Sequence, residues 1–198
     1  MKKVIFTFCF ILISSHLFSQ SKLIEKINGY ISQIDSGISY NEDFHDNYMV
    51  HEIKFETNKR AIGKQYTSAK FYFPMPGDSV VETGERTDFL YIYKPPVRVS
   101  VQYNIAASQN NTMNYYFDEG SLVFYHYSSE GEYGAENEQY YFNKDELIKF
   151  ETHTPDNNII KEKDFTKHDL FVAENILKKA AEYRKMFDEL VKLEDIDK

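Results

Sequence analysis

The spacing of apolar residues divides the chain into two helices and a long run of strands between them. Leu23, Ile27, Tyr30, Ile31 and Ile34 recur at intervals of three and four, one face of a helix of period 3.6. Ser36-Gly37 follows as a helix stop, glycine being the usual residue of the left-handed closing turn. Ala173, Ile176, Leu177, Ala180, Tyr183, Phe187, Leu190 and Val191 make a second stripe, predicting a helix over about 167–193. Thr166-Lys167-His168-Asp169 is the capping pattern at its start. Between the helices the period falls to two: Met49, His51, Ile53 and Phe55, then Gln65, Thr67, Ala69, Phe71 and Phe73, then Val97, Val99, Val101 and Tyr103. Phe89–Tyr93 is a further strand, ended by Pro95-Pro96.

A repeat of period 25 runs through the second half. Asn114-Tyr115-Tyr116-Phe117 leads to Leu122-Val123-Phe124-Tyr125, and Gln139-Tyr140-Tyr141-Phe142 leads to Leu147-Ile148-Lys149-Phe150. Asp118–Ser121 and Asn143–Glu146 form the polar links, so each copy reads as a hairpin with a four-residue loop, over 112–128 and 137–153. Phe71-Tyr72-Phe73 before Val80-Val81 is a third, distorted copy. Strands joined by short turns without a crossover helix imply an antiparallel sheet. The expectation is an α+β fold: a curved antiparallel sheet of about eight strands, a hairpin meander, with an N-terminal and a C-terminal helix packed on it. Val123, Tyr125, Ile148 and Phe150 are read as one buried row, with Tyr115, Phe117, Tyr140 and Phe142 in the same layer.

The tandem Tyr-Tyr-Phe, polar turn, Leu-Val or Leu-Ile pattern resembles that of a broad group of exported bacterial proteins with no assigned activity. The resemblance covers residues 112–153 and extends to the helix beginning near Phe171. It implies export and hairpins, and transfers no catalytic or binding residue.

The first residues carry the same implication independently. Lys2-Lys3, the apolar run Val4–Ile13 and a small residue at Ser19 are the three parts of a secretory signal, with cleavage expected between Ser19 and Gln20. The apolar run is shorter than the ~20 residues of a spanning helix, which disfavours a membrane anchor. Residues 1–19 are thus read as a signal peptide and 20–198 as a single exported domain, periplasmic or extracellular, with no membrane span after cleavage. The only cysteine, Cys9, leaves with the signal, so the domain holds together by its core rather than by disulfides. The sixteen tyrosines, all after residue 20, and the twelve phenylalanines left of sixteen supply the aromatic side chains for that core. A net charge of −8 without a basic patch disfavours nucleic acid.

Chemistry is harder to find. There is no Gly-x-Ser-x-Gly elbow and no glycine-rich phosphate loop. Glu130–Glu138 is an acidic connection whose spacing does not match a calcium loop. A pair of carboxylates for glycoside hydrolysis leaves no local spacing to recognise. His126 and His153 lie on the second strands of the two copies, on one side of the sheet, and Glu151 aligns with His126; these three form a candidate metal or general-base cluster. Tyr116, Phe124 and Tyr141 point away from the buried row and form a candidate ligand-binding surface, since exposed tyrosine stacks sugars, peptides or apolar molecules when it does not merely cover a sheet. No cofactor is implied. The preferred reading is a binding or interaction module for a protein, apolar or carbohydrate partner, leaning away from an enzyme; the alternative is an envelope hydrolase using carboxylates or the His/Glu cluster.

Overall fold

The computed structural model describes residues 20–39, 48–59, 63–75, 77–83, 86–105, 109–131, 134–154, 157–161 and 165–196. The expected signal segment lies outside them. Helix α1 (residues 20–39) is followed by β1 (Tyr48–Lys59), β2 (Gly63–Pro74), β3 (Gly77–Thr83), β4 (Arg86–Ile92), β5 (Arg98–Ile105), β6 (Gln109–Asp118), β7 (Ser121–Gly131), β8 (Gly134–Asn143), β9 (Glu146–Thr154), β10 (Asn157–Lys161) and α2 (Lys167–Ile196). Eight strands form one open antiparallel sheet in the order β1-β2-β5-β6-β7-β8-β9-β10, and β3 and β4 pair as a separate ribbon. The fold is the expected α+β meander with a helix at each end of the chain. Because β2 pairs with β5 and β3 with β4, Phe71–Phe73 and Val80-Val81 do not form a third hairpin. No helix among the described residues is long and apolar enough to cross a membrane.

The two helices lie on opposite faces. Ala173, Ile176, Ala180 and Phe187 of α2 are buried against Phe71, Phe73, Val99, Val101, Tyr115, Phe117, Tyr125, Tyr140, Phe142 and Phe150. Ile27, Ile34 and Ile38 of α1 are buried against Tyr72, Tyr116, Phe124 and Tyr141. Every residue of both predicted stripes joins one of these two cores. The α2 start is capped as its sequence requires: Thr166 Oγ1 accepts from the Asp169 amide at 3.2 Å, and Asp169 Oδ2 accepts from the Thr166 amide at 2.8 Å. The helix runs through the expected stop at Ser36-Gly37 to at least residue 39. Gly37 instead lets the helix approach the sheet: a Cβ there would lie 2.6 Å from Tyr48 Cε2.

Two features of the hairpins differ from the sequence reading. Asp118 pairs with Ser121 and Asn143 with Glu146, so the loops hold two residues rather than four. Glu119 and Gly120 (φ 49° and 81°) and Lys144 and Asp145 (φ 50° and 63°) all have positive φ, as the tight turn matching strand twist requires. The second difference is a bulge in each copy. Tyr116 opposes Phe124 while Phe117 opposes Leu122, leaving Val123 as an extra residue; Tyr141 opposes Lys149 while Phe142 opposes Leu147, leaving Ile148. One inserted residue resets the alternation. Val123 and Ile148 therefore pack on the α1 side, not in the row with Tyr125 and Phe150, and Leu122 takes the place in the α2 core.

Candidate functional site

The α1 face of the sheet changes character along its strands. Near the tight turns it is aromatic and covered by α1. Farther along, side chains of the same phase are almost all polar. Strand register places them in rows: Lys70, Ser100, Asn114, His126, Gln139 and Glu151 in one, then Lys54, Ser68, Gln102, Thr112, Ser128 and Asn137 in the next. A third begins with Glu56, opposite Tyr66, and continues through Asn104, opposite Asn110.

A groove of about 740 Å³ runs between the second and third rows over β1, β2, β5 and β6. Lys54, Ser68, Gln102 and Thr112 form one wall, Glu56, Tyr66, Asn104 and Asn110 the other. Phe55, Thr67, Tyr103 and Asn111 also line it; they have the opposite phase, so they offer backbone as the floor while their side chains belong to the other face of the sheet. Its charges are largely matched. Lys54 Nζ lies 2.9 Å from Glu52, and Lys64 Nζ 2.8 Å from Glu56. The hydrogen bond from Lys54, with a second from Ser68, holds the Glu52 carboxyl below its ordinary range. What remains is an array of amides and hydroxyls beside the exposed ring of Tyr66. Asn104 is held in place by accepting the Tyr66 amide at 2.6 Å.

A second recess, about 460 Å³, lies where α1 meets the same face. Ser32 and Asp35 of α1 line it together with Tyr116, Phe124, Tyr141, His126 and Gln139. Its inner wall is a polar knot. Asp35 accepts from the Tyr116 hydroxyl (2.9 and 3.1 Å) and from Arg98 Nη1 (3.0 Å), while Arg98 Nη2 donates to Asn114 Oδ1 at 2.9 Å. The Arg98 guanidinium sits 5.5 Å from the Tyr72 ring centre and 5.4 Å from that of Tyr116, close enough for cation–π attraction. Burial raises the Tyr116 hydroxyl; it also pushes Tyr141 up to about 12, with the Glu151 charge adding to the effect.

The sequence-predicted ligand residues come together here. Ring centres are 5.5 Å apart for Tyr116 and Phe124, and 4.8 Å for Phe124 and Tyr141. They point away from the α2 core, as the alternation predicts, but they are not openly displayed: at 4%, 6% and 3% exposure they are roofed by α1 and reach the recess only by their edges. In the predicted His/Glu cluster, His126 and Glu151 do not sit on neighbouring strands. Gln139 stands between His126 and Glu151 in the register, which separates their backbones by two strand spacings, roughly 10 Å. Glu151 lies 2.6 Å from Lys149 Nζ, and His126 Nε2 3.1 Å from Asn137 Oδ1. His153 stands opposite Asn137. Among the described residues no group of three metal-ligating side chains forms. The acidic stretch 130–138 is largely strand rather than loop, with Glu130 opposite Ala135.

The groove residues were not singled out in the sequence. Their signal was present: Ser100, Gln102, Asn104 and Asn110, Thr112, Asn114 are runs of alternate polar residues in phase with each other. Comparison of the chain with family models, curated proteins and solved structures finds no match to any of them.

Proposed function

We propose that the protein is an exported binding module that holds a carbohydrate chain against the polar half of its sheet. The observation that carries this reading is the groove itself: two facing walls bearing side-chain amides and hydroxyls beside the ion-paired Lys54 and Glu56, with Tyr66 exposed at one side. Sugar hydroxyls both donate and accept, and Asn, Gln, Ser and Thr are the side chains that answer in both senses. The C–H face of a sugar ring stacks on an aromatic ring. An apolar ligand would leave those amides and hydroxyls without partners, at a cost of about 1–3 kcal/mol each. The walls stand on four hydrogen-bonded strands, so little ordering is needed on binding. The signal-like residues 1–19 supply the case for export.

The test is calorimetric titration of the purified exported protein with a panel of soluble oligosaccharides, alongside pull-down on insoluble polysaccharides. Tyr66→Ala is expected to weaken binding about tenfold, since losing a stacked ring of this size removes on the order of 1.5 kcal/mol. Gln102→Ala, on the facing wall, is expected to weaken it several-fold. Absence of binding across the panel overturns the reading, as does binding that neither substitution changes.

A further inference from the structure

The sheet ends differently at its two edges. β10 is a five-residue edge strand, the short kind that resists pairing with another chain. β1 spans twelve residues and, among the described residues, pairs in the sheet only with β2. It carries two large exposed apolar side chains, Val50 at 46% and Phe55 at 47%.

We propose that two copies of the protein pair antiparallel through β1, with a two-fold axis at Ile53. In that register Glu52 opposes the partner's Lys54, and Lys54 the partner's Glu52. Ile53 meets the partner's Ile53, and Phe55 meets the partner's His51. Directly opposed unlike charges favour an antiparallel pair and like charges disfavour it. An axis at Glu52 or at Lys54 would set identical charges face to face. An axis at Phe55 would match Lys54 with the partner's Glu56, but it shortens the paired stretch at the Tyr48 end. Because the axis stands perpendicular to the sheet, the two sheets become continuous and both grooves open on the same side. A polymer bound by one groove then meets the second at high effective concentration.

Size-exclusion chromatography with light scattering on the purified exported protein tests this. Twice the chain mass is expected. Glu52→Lys is expected to weaken dimerisation at least about tenfold, because two attractive cross-strand pairs become repulsive. Combining it with Lys54→Glu restores the dimer. Glu56→Lys, which faces the partner's Val50 in this register, leaves it intact. Circular dichroism confirms that each variant is folded. A monomer at micromolar concentration overturns the proposal, and so does a dimer that survives Glu52→Lys or is broken by Glu56→Lys. Carbohydrate binding is not part of this readout, so it can fail while the groove stands, and the reverse.

Discussion

Asp35→Ala is the substitution most informative about how α1 is held over the aromatic half of its face. The carboxylate receives a phenol hydrogen bond from Tyr116 and a charged one from Arg98. Such charge-assisted bonds contribute about 1.5–3 kcal/mol when sheltered. The Arg98 side chain is sheltered at 19% exposure, but Asp35 is not, at 43%, so solvent screening removes roughly half. Arg98 keeps Asn114 and two ring faces, which limits the loss on its side. The net expectation is about 2 kcal/mol of destabilisation, or a melting temperature lower by roughly 5 °C for a domain of this size. Urea denaturation of Asp35→Ala, Arg98→Ala and the double variant closes a cycle. The coupling should be about 1 kcal/mol. Amide exchange should also quicken toward the C-terminal end of α1. A destabilisation under 0.5 kcal/mol, or no coupling, would refute the assignment of this knot as the tether.

Three further outcomes follow from the geometry. Replacing Lys144-Asp145 with Asn-Gly supplies residues suited to positive φ at both turn positions and should stabilise the protein by about 1 kcal/mol; an unchanged melting temperature contradicts it. Burial, reinforced by the Glu136 charge, raises the Glu138 carboxyl above its ordinary range, while its bond from Tyr140 pulls the other way. The native state therefore binds that proton more tightly than the unfolded chain, and stability falls as pH rises through the native value. Glu138→Gln keeps an acceptor for Tyr140 and should be the more stable form at neutral pH, with the gap closing on acidification; parallel stability profiles refute this. Burial pushes Tyr30 and Tyr141 up to about 12 and raises Tyr115, Tyr116, Tyr125 and Tyr140 as well. Stability should drop as pH climbs past the ordinary tyrosine value of about 10, and absorbance titration should show a class of phenols ionising only with unfolding. A single step near the ordinary value for all sixteen would exclude it.

What the sequence discloses here depends on how local the cause is. Both helix stripes and the α2 capping box are set within one element, and they read correctly. The strand count survives because alternation and turn residues are also local. Register is not local. A bulge is invisible in the pattern, since Leu122-Val123-Phe124 and Leu147-Ile148-Lys149 look like plain strand, yet it moves Val123 and Ile148 across the sheet. Tyr116, Phe124 and Tyr141 were legible as a group facing away from the α2 core, whereas their roof was not, because nothing in the α1 stripe says which face it chooses. The groove needed four strands in register before its walls existed. His126 and Glu151 show the converse: alignment in the repeat put them in equivalent places, and equivalent places in neighbouring hairpins are two strands apart.

The two-sided arrangement of β5 and β6 has a consequence for how such a surface changes over generations. Val99, Val101, Met113 and Tyr115 hold the α2 core, while Gln102 and Thr112, immediate neighbours of Val101 and Met113 in the chain, face the groove. Point substitutions at the second set can explore new recognition with little penalty in folding. Insertion or deletion of one residue in either strand trades the two sets, placing amides in the core and valines in the groove. Selection can therefore retune this face freely by replacement and almost never by a change of length.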